Sequence, residues 1–173
     1  NLPLNISRSF FPSWQEFQGL GLLGGMGHAS DLTRQLMLLP LSLLFSTNLL
    51  RYIWTFSMLL IGPLGVLYLS RFLHRDSKSP AHLVSALFYL LNLATVQYFF
   101  VPLETFSSFY GFLPWMLLSI LHYYTQPTRK TLSFVFVVHL LASSAFHVQT
   151  LFVVWLIVVA VFGVANIFSA NKP

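Results

Sequence analysis

Cysteine is absent from this chain and charge is scarce: Lys, Arg, Asp and Glu make up 8% of its 173 residues, where a soluble domain carries about 25%. The first absence removes a disulfide framework, a thiolate metal site and a thiol nucleophile. The second removes a soluble fold, because so few charged side chains cannot cover a water-facing surface. Acids are rarer still, four against nine Lys and Arg. What fills the chain instead is hydrophobic, at 56%, with 17% aromatic residues. That is the composition of a membrane protein. The formal charge of +5 therefore argues through its distribution along the chain and not for nucleic acid, which is not expected as a partner. The chain opens on Asn1, with no signal peptide ahead of it, and reads as a fragment of a longer protein that lacks at least one N-terminal hydrophobic segment.

Five apolar runs, 52–73, 82–101, 109–124, 131–146 and 150–168, are each about 16 to 22 residues long. A helix crossing a hydrocarbon core of about 30 Å needs about 20 residues, and about 17 at the short end. The expected fold class is all-α: a polytopic transmembrane helical bundle of about five spans, 52–173, preceded by an N-terminal external loop, 1–51. Within that loop QLMLLPLSLLFSTNLL is apolar but holds Pro40, which a helix interior tolerates badly, so an interfacial or re-entrant helix is expected there. A true span at this point would move the preceding tail to the other side.

Orientation follows from the connections, since cytoplasmic loops carry the excess of Lys and Arg. RFLHRDSKSP holds Arg71, Arg75 and Lys78, TQPTRK holds Arg129 and Lys130, and Lys172 lies near the end. With these inside, VPLETFSS and the turn near His147 lie outside, as does 1–51. Three of the four acids, Glu16, Asp31 and Glu104, then share the external face. Tyr52, Trp54, Tyr110, Trp115, Tyr123 and Tyr124 fall near span ends, where amphipathic rings anchor at headgroup level.

GLGLLGGMGHASD, Gly19 to Asp31, contains G-x-G-x-x-G. A dinucleotide fingerprint needs a strand before it, a helix after it and an acid about 20 residues on. SFFPSWQEFQ has no strand alternation, and no acid occurs between Asp31 and Asp76. A P-loop would continue with Lys and Ser or Thr, where this chain has His28 and Ala29. Glycine here supplies backbone freedom at a membrane surface, either to turn the loop or to pack against a head group beside Arg8, Trp14, Glu16, His28, Asp31 and Arg34.

Ser30 stands where a helix N-cap is expected, with Asp31 in the first turn. Asp31, Arg34 and Gln35 share a face at i, i+3, i+4. An ion pair explains that spacing, and so does a base beside a phosphate-binding cation. Glu104, in PLETF among aromatics, is costly near a bilayer unless it is paired, to Arg51 or Arg34, or lines a wet cavity. His139 and His147 lack metal-ligand spacing and are expected to bond to Ser143 or Ser144. Asn92 and Gln97 are expected to make contacts between helices.

The order LNISRSFFPSWQEFQGLGLLGGMGHASDLTRQLMLLP, LLRYIWTFSMLLIGPLGVLYLSRFL, ALFYLLN and PLETFSSFYGFLPW resembles the N-terminal region of GT-C-class polytopic membrane glycosyltransferases, arabinofuranosyltransferase-like or YfhO-like. The resemblance covers most of the chain through mostly hydrophobic motifs. It implies a multi-span body that takes a sugar from a polyprenyl-phosphate donor and passes it to a glycan or lipid acceptor at the extracytoplasmic face of the plasma (cytoplasmic) membrane. It also implies that 1–51 is the latter part of the first external loop, with W-x-x-F-x-G-x-G at Trp14 to Gly21. The family's key acid normally lies nearer the preceding span, which this sequence does not include. Asp31 and Glu104 are then the catalytic candidates, with Arg8, Trp14, Glu16, His28, Arg34 and Arg51 as substrate-binding residues. No cofactor or metal ligand is assigned, and a divalent cation is left open. The alternatives are a transporter or lipid flippase, which needs ionisable groups in its spans or paired broken helices, and a non-catalytic assembly subunit.

Overall fold

The computed structural model describes residues 2–10, 30–74, 79–101 and 103–170, excluding the side chains of Arg8, Phe10 and 167–170. All regular structure among these residues is helical: α1 (Leu2–Phe10), α2 (Leu32–Leu38), α3 (Thr47–Leu73), α4 (Ala81–Leu91), α5 (Leu93–Phe100), α6 (Glu104–Thr125), α7 (Arg129–Leu141) and α8 (Gln149–Ala170), with short 3-10 turns at Leu41–Leu43 and Ala142–His147.

Each long helix falls on an apolar run, and the boundaries have local causes. Thr128 opens α7 with a reciprocal capping box to Thr131, which satisfies two backbone donors that a helix start otherwise leaves bare. Asn92 separates α4 from α5. Its Oδ1 accepts from the Thr95 amide at 3.0 Å while its Nδ2 donates to the carbonyls of Phe88 and Tyr89. It is thus a helix cap at a 41° bend, and not the contact between helices that was expected.

Contacts set the directions. Arg51, Trp54 and Ile61 of α3 meet Glu104, Ser108 and Trp115 of α6 in ascending order, so these helices run parallel. Ser70 meets His82, while Gly62 lies against Tyr89, so α4 runs back along α3. His122 packs on Phe134, and His139 on Trp155, which makes α7 antiparallel to both α6 and α8. The bundle therefore has two ends. One gathers the starts of α3, α6 and α8 with the turn 142–147. The other gathers Arg71, Arg129 and Lys130.

The α3–α6 seam is close because glycine lies on both sides. A Cβ on Gly111 would stand 2.6 Å from Met58 Sδ, and one on Gly62 2.7 Å from Tyr110 Cε1. Tyr110 stacks on Tyr89 at 4.5 Å, and each phenol donates to the other residue's carbonyl. The apolar core surrounds α6 with Trp54, Met58, Phe109, Phe112, Met116, Val138 and Trp155. Trp54, Tyr110 and Trp115 are thereby packing residues with internal hydrogen bonds, where anchoring at headgroup level was expected.

Among the described residues three segments, Thr47–Leu73, Arg129–His147 and Gln149–Asn166, are long and apolar enough to cross a membrane, and four if the bent pair α4–α5 is one span. Their outward faces carry exposed Leu60, Leu64, Phe88, Phe136, Ile157 and Val161, apolar area that only lipid or a partner would cover favourably. The run 109–124 lies in α6, whose first turns are polar and whose Ser107, Ser108 and Ser119 are fully buried by its neighbours. The stretch around Pro40 is no continuous helix. The seven residues of α2 rise about 10 Å at 1.5 Å each, far short of a crossing.

Candidate functional site

The end formed by the starts of α3 and α6 holds both expected acids. Asp31 occupies the N-cap position of α2 in a helical conformation and makes no capping bond. Its carboxylate instead takes a bidentate pair from Arg34, Nε to Oδ1 at 2.7 Å and an Nη to Oδ2 at 2.5 Å, and a third donation from Gln35 Nε2 at 3.0 Å. The i, i+3, i+4 spacing brings all three together as expected. Gln35 is buried, and its Oε1 has no partner among the described residues.

Ser30 was expected to cap this helix. It lies 3.5 Å from His147 Nδ1, while Thr33 accepts from Ser143 Oγ at 3.0 Å. These contacts fasten α2 to the 142–147 turn. His139 bonds to neither Ser143 nor Ser144. It spans from the Val135 carbonyl at 2.8 Å to Trp155 Nε1 at 3.2 Å, which makes Nδ1 the donor and Nε2 the acceptor of a neutral ring.

Glu104 begins α6, where the helix macrodipole favours a carboxylate. It pairs with Arg51 Nε. Ser108, one turn on, donates to the Glu104 carbonyl at 2.6 Å and accepts from buried Trp54 Nε1 at 2.9 Å, tying this turn to α3. The two ion pairs differ in kind. Arg34 engages two oxygens at 16% side-chain exposure, whereas Arg51 engages one and is 57% exposed.

Beside Arg51 lies a cavity of about 250 Å³ bordered by Asn48, Arg51, Tyr52 and Thr55. A wider, more apolar one of about 380 Å³ is bordered by Gln97, Tyr98, Val101, Leu103 and Phe106. Asn48, Tyr52 and Thr55 did not emerge from the sequence as site residues. Their i, i+3, i+4, i+7 register with Arg51 was the available signal, hidden in a run that reads as lipid-facing. Trp14, Glu16, His28 and the glycine run lie outside the described residues, as do Arg75, Lys78 and Lys172. Arg8 is on α1, at a position whose side chain is not described. Among the described residues no group of three or more His, Asp or Glu is close enough to hold a metal ion.

Fold and site together define a helical membrane protein with one ion-paired end and one basic end. No family model, curated protein or solved structure matches the chain.

Proposed function

We propose that the chain is the membrane-embedded body of a GT-C-like glycosyltransferase. It crosses the membrane five times, through α3, α4–α5, α6, α7 and α8, with the Glu104 end extracytoplasmic. A polyprenyl-phosphate sugar is the donor and a glycan or lipid hydroxyl the acceptor. The observation that carries the reading is a carboxylate and a half-exposed guanidinium side by side, the guanidinium bordering a cavity, near the start of a helix long enough to cross a bilayer. A head group held at that depth meets a cation for its phosphate and a base for the attacking hydroxyl. The acceptor oxygen bonds to the anomeric carbon, the bond from that carbon to the phosphate oxygen breaks, Glu104 takes the hydroxyl proton and the phosphate leaves. Asp31, whose two oxygens already accept three donations, is a poorer base, and its part is to position Arg34. Arg8, Trp14, Glu16 and His28 are assigned to binding the donor.

The segregation of Arg71, Arg129 and Lys130 to the opposite end supports the orientation, since such residues favour the cytoplasmic side. A carrier is the second reading, favoured by the broken α4–α5 pair. Transfer from a labelled polyprenyl-phosphate sugar by the full-length protein in proteoliposomes decides between them. Glu104→Gln is expected to lower turnover by about a hundredfold or more. Undiminished turnover would falsify its role as base, and movement of label across the bilayer without transfer would favour the carrier.

A further inference from the structure

Deepening that reading of the Glu104 end, we infer that the α3 face of Asn48, Arg51, Tyr52 and Thr55 is a binding site for a phosphate oxyanion, which fills it by drawing the Arg51 guanidinium away from Glu104. Four observations converge. The residues stand at i, i+3, i+4 and i+7, one face of a helix, and border one cavity of about 250 Å³. That is room for several waters at about 30 Å³ each, and so for a phosphate group.

Thr55 is 4% exposed and borders the cavity. The buried side of the cavity thus carries a hydroxyl, with the exposed Asn48 and Tyr52 side chains beside it. Arg51 spends only Nε on Glu104. The remaining N–H groups of a guanidinium form a fork that suits a tetrahedral oxyanion. Arg34 offers less, because Asp31 holds its Nε and one Nη and its side chain is only 16% exposed.

Competition sets the signs. The empty site is neutral, Arg51 against Glu104, and an arriving anion has to displace the carboxylate. Removing the charge of Glu104 therefore tightens anion binding, while removing that of Arg51 weakens it. A Glu104 that merely held Arg51 in place for the ligand would give the opposite sign. Binding also frees Glu104 from its cation, so a phosphate-bearing donor would unmask the proposed base on arrival.

The test uses the full chain in phosphatidylcholine nanodiscs. One arm titrates inorganic phosphate, followed by exchange broadening of its ³¹P resonance. The other adds a few mol% phosphatidic acid, with retention read by native mass spectrometry. Arg51→Gln is expected to weaken binding about tenfold or more, the worth of a charge-assisted hydrogen bond. Thr55→Val, which leaves the ion pair and the packing in place, should weaken it several-fold and serves if Arg51→Gln does not fold. Glu104→Gln should tighten it several-fold. The arm that shows these signs identifies a free or a lipid-borne phosphate. Glu104→Gln weakening binding as much as Arg51→Gln, or no phosphate-dependent signal in either arm, overturns the site. These signs in a protein that transfers no sugar uphold the site and remove the transferase reading. Transfer without binding in either arm does the reverse.

Discussion

Ser108→Ala tests whether the first turn of α6 is held by the hydrogen-bonded relay from Trp54. Ser108 is fully buried and Trp54 is 4% exposed. In the native protein the hydroxyl proton goes to the Glu104 carbonyl and the hydroxyl oxygen accepts the indole N–H. Alanine strands that N–H in a place water does not reach, at a cost of about 1–3 kcal/mol. Two effects reduce it. In a bilayer the unfolded helices also find partners, so measured bonds between helices average about 0.6 kcal/mol and reach about 1.7. Alanine also returns a few tenths of a kcal/mol, roughly, in helix propensity. The expected loss is about 1 kcal/mol.

The sharper quantity is the coupling. Once Ser108 is gone, Trp54→Phe removes an orphaned donor and not a satisfied one. The double variant should therefore be more stable than the sum of the single losses by about 0.6–1.7 kcal/mol. Reversible unfolding in mixed micelles, monitored by steric trapping, measures all four corners of the cycle. Additivity within about 0.3–0.5 kcal/mol would mean that the indole N–H is satisfied elsewhere, and the relay would be rejected.

Three further outcomes follow from the packing. Gly62→Val should cost about 1–3 kcal/mol, because its Cβ alone meets Tyr110 at 2.7 Å and Tyr89 at 3.0 Å; unchanged stability would show that the seam is looser than described. Asn92→Ala should cost about 0.5–2 kcal/mol as a lost cap and speed hydrogen exchange at the Thr95 amide; unaltered exchange there would deny Asn92 its capping role. The chain has no cysteine of its own, so single cysteines at Phe45, Leu103 and Gln126 report topology directly. Phe45 and Leu103 should label from one side and Gln126 from the other, and all three labelling together would contradict the alternation of passes.

The helices were legible because each apolar run is long enough to demand one, and the backbone can satisfy its polar groups within lipid by no other local means. The interruptions were less so. Asn92 looked like one polar residue in a run, yet three bonds from its amide group end one helix and start the next. Asp31, Arg34 and Gln35 could be read together because helical spacing is local. Arg51 and Glu104 stand 53 residues apart, and nothing in spacing singled out this pairing over Arg34. Thr55 escaped notice for the opposite reason: a threonine in an apolar helix is unremarkable until it is seen to border a cavity beside an arginine.

The parallel seam between α3 and α6 bears on how the molecule is made. Its two helices are separated in the chain by α4 and α5, so during synthesis the first partner emerges well before the second exists. Until α6 arrives, the surface of Met58, Trp54 and Gly65 has no seam to enter, and α4 covers only the neighbouring Gly62 side through Tyr89. A nascent chain halted before Glu104 would expose a groove lined by glycine and aromatic rings inside the bilayer. That is the form a quality-control protease or a chaperone of the insertion machinery would meet, and it disappears only when the third long segment of the chain has entered.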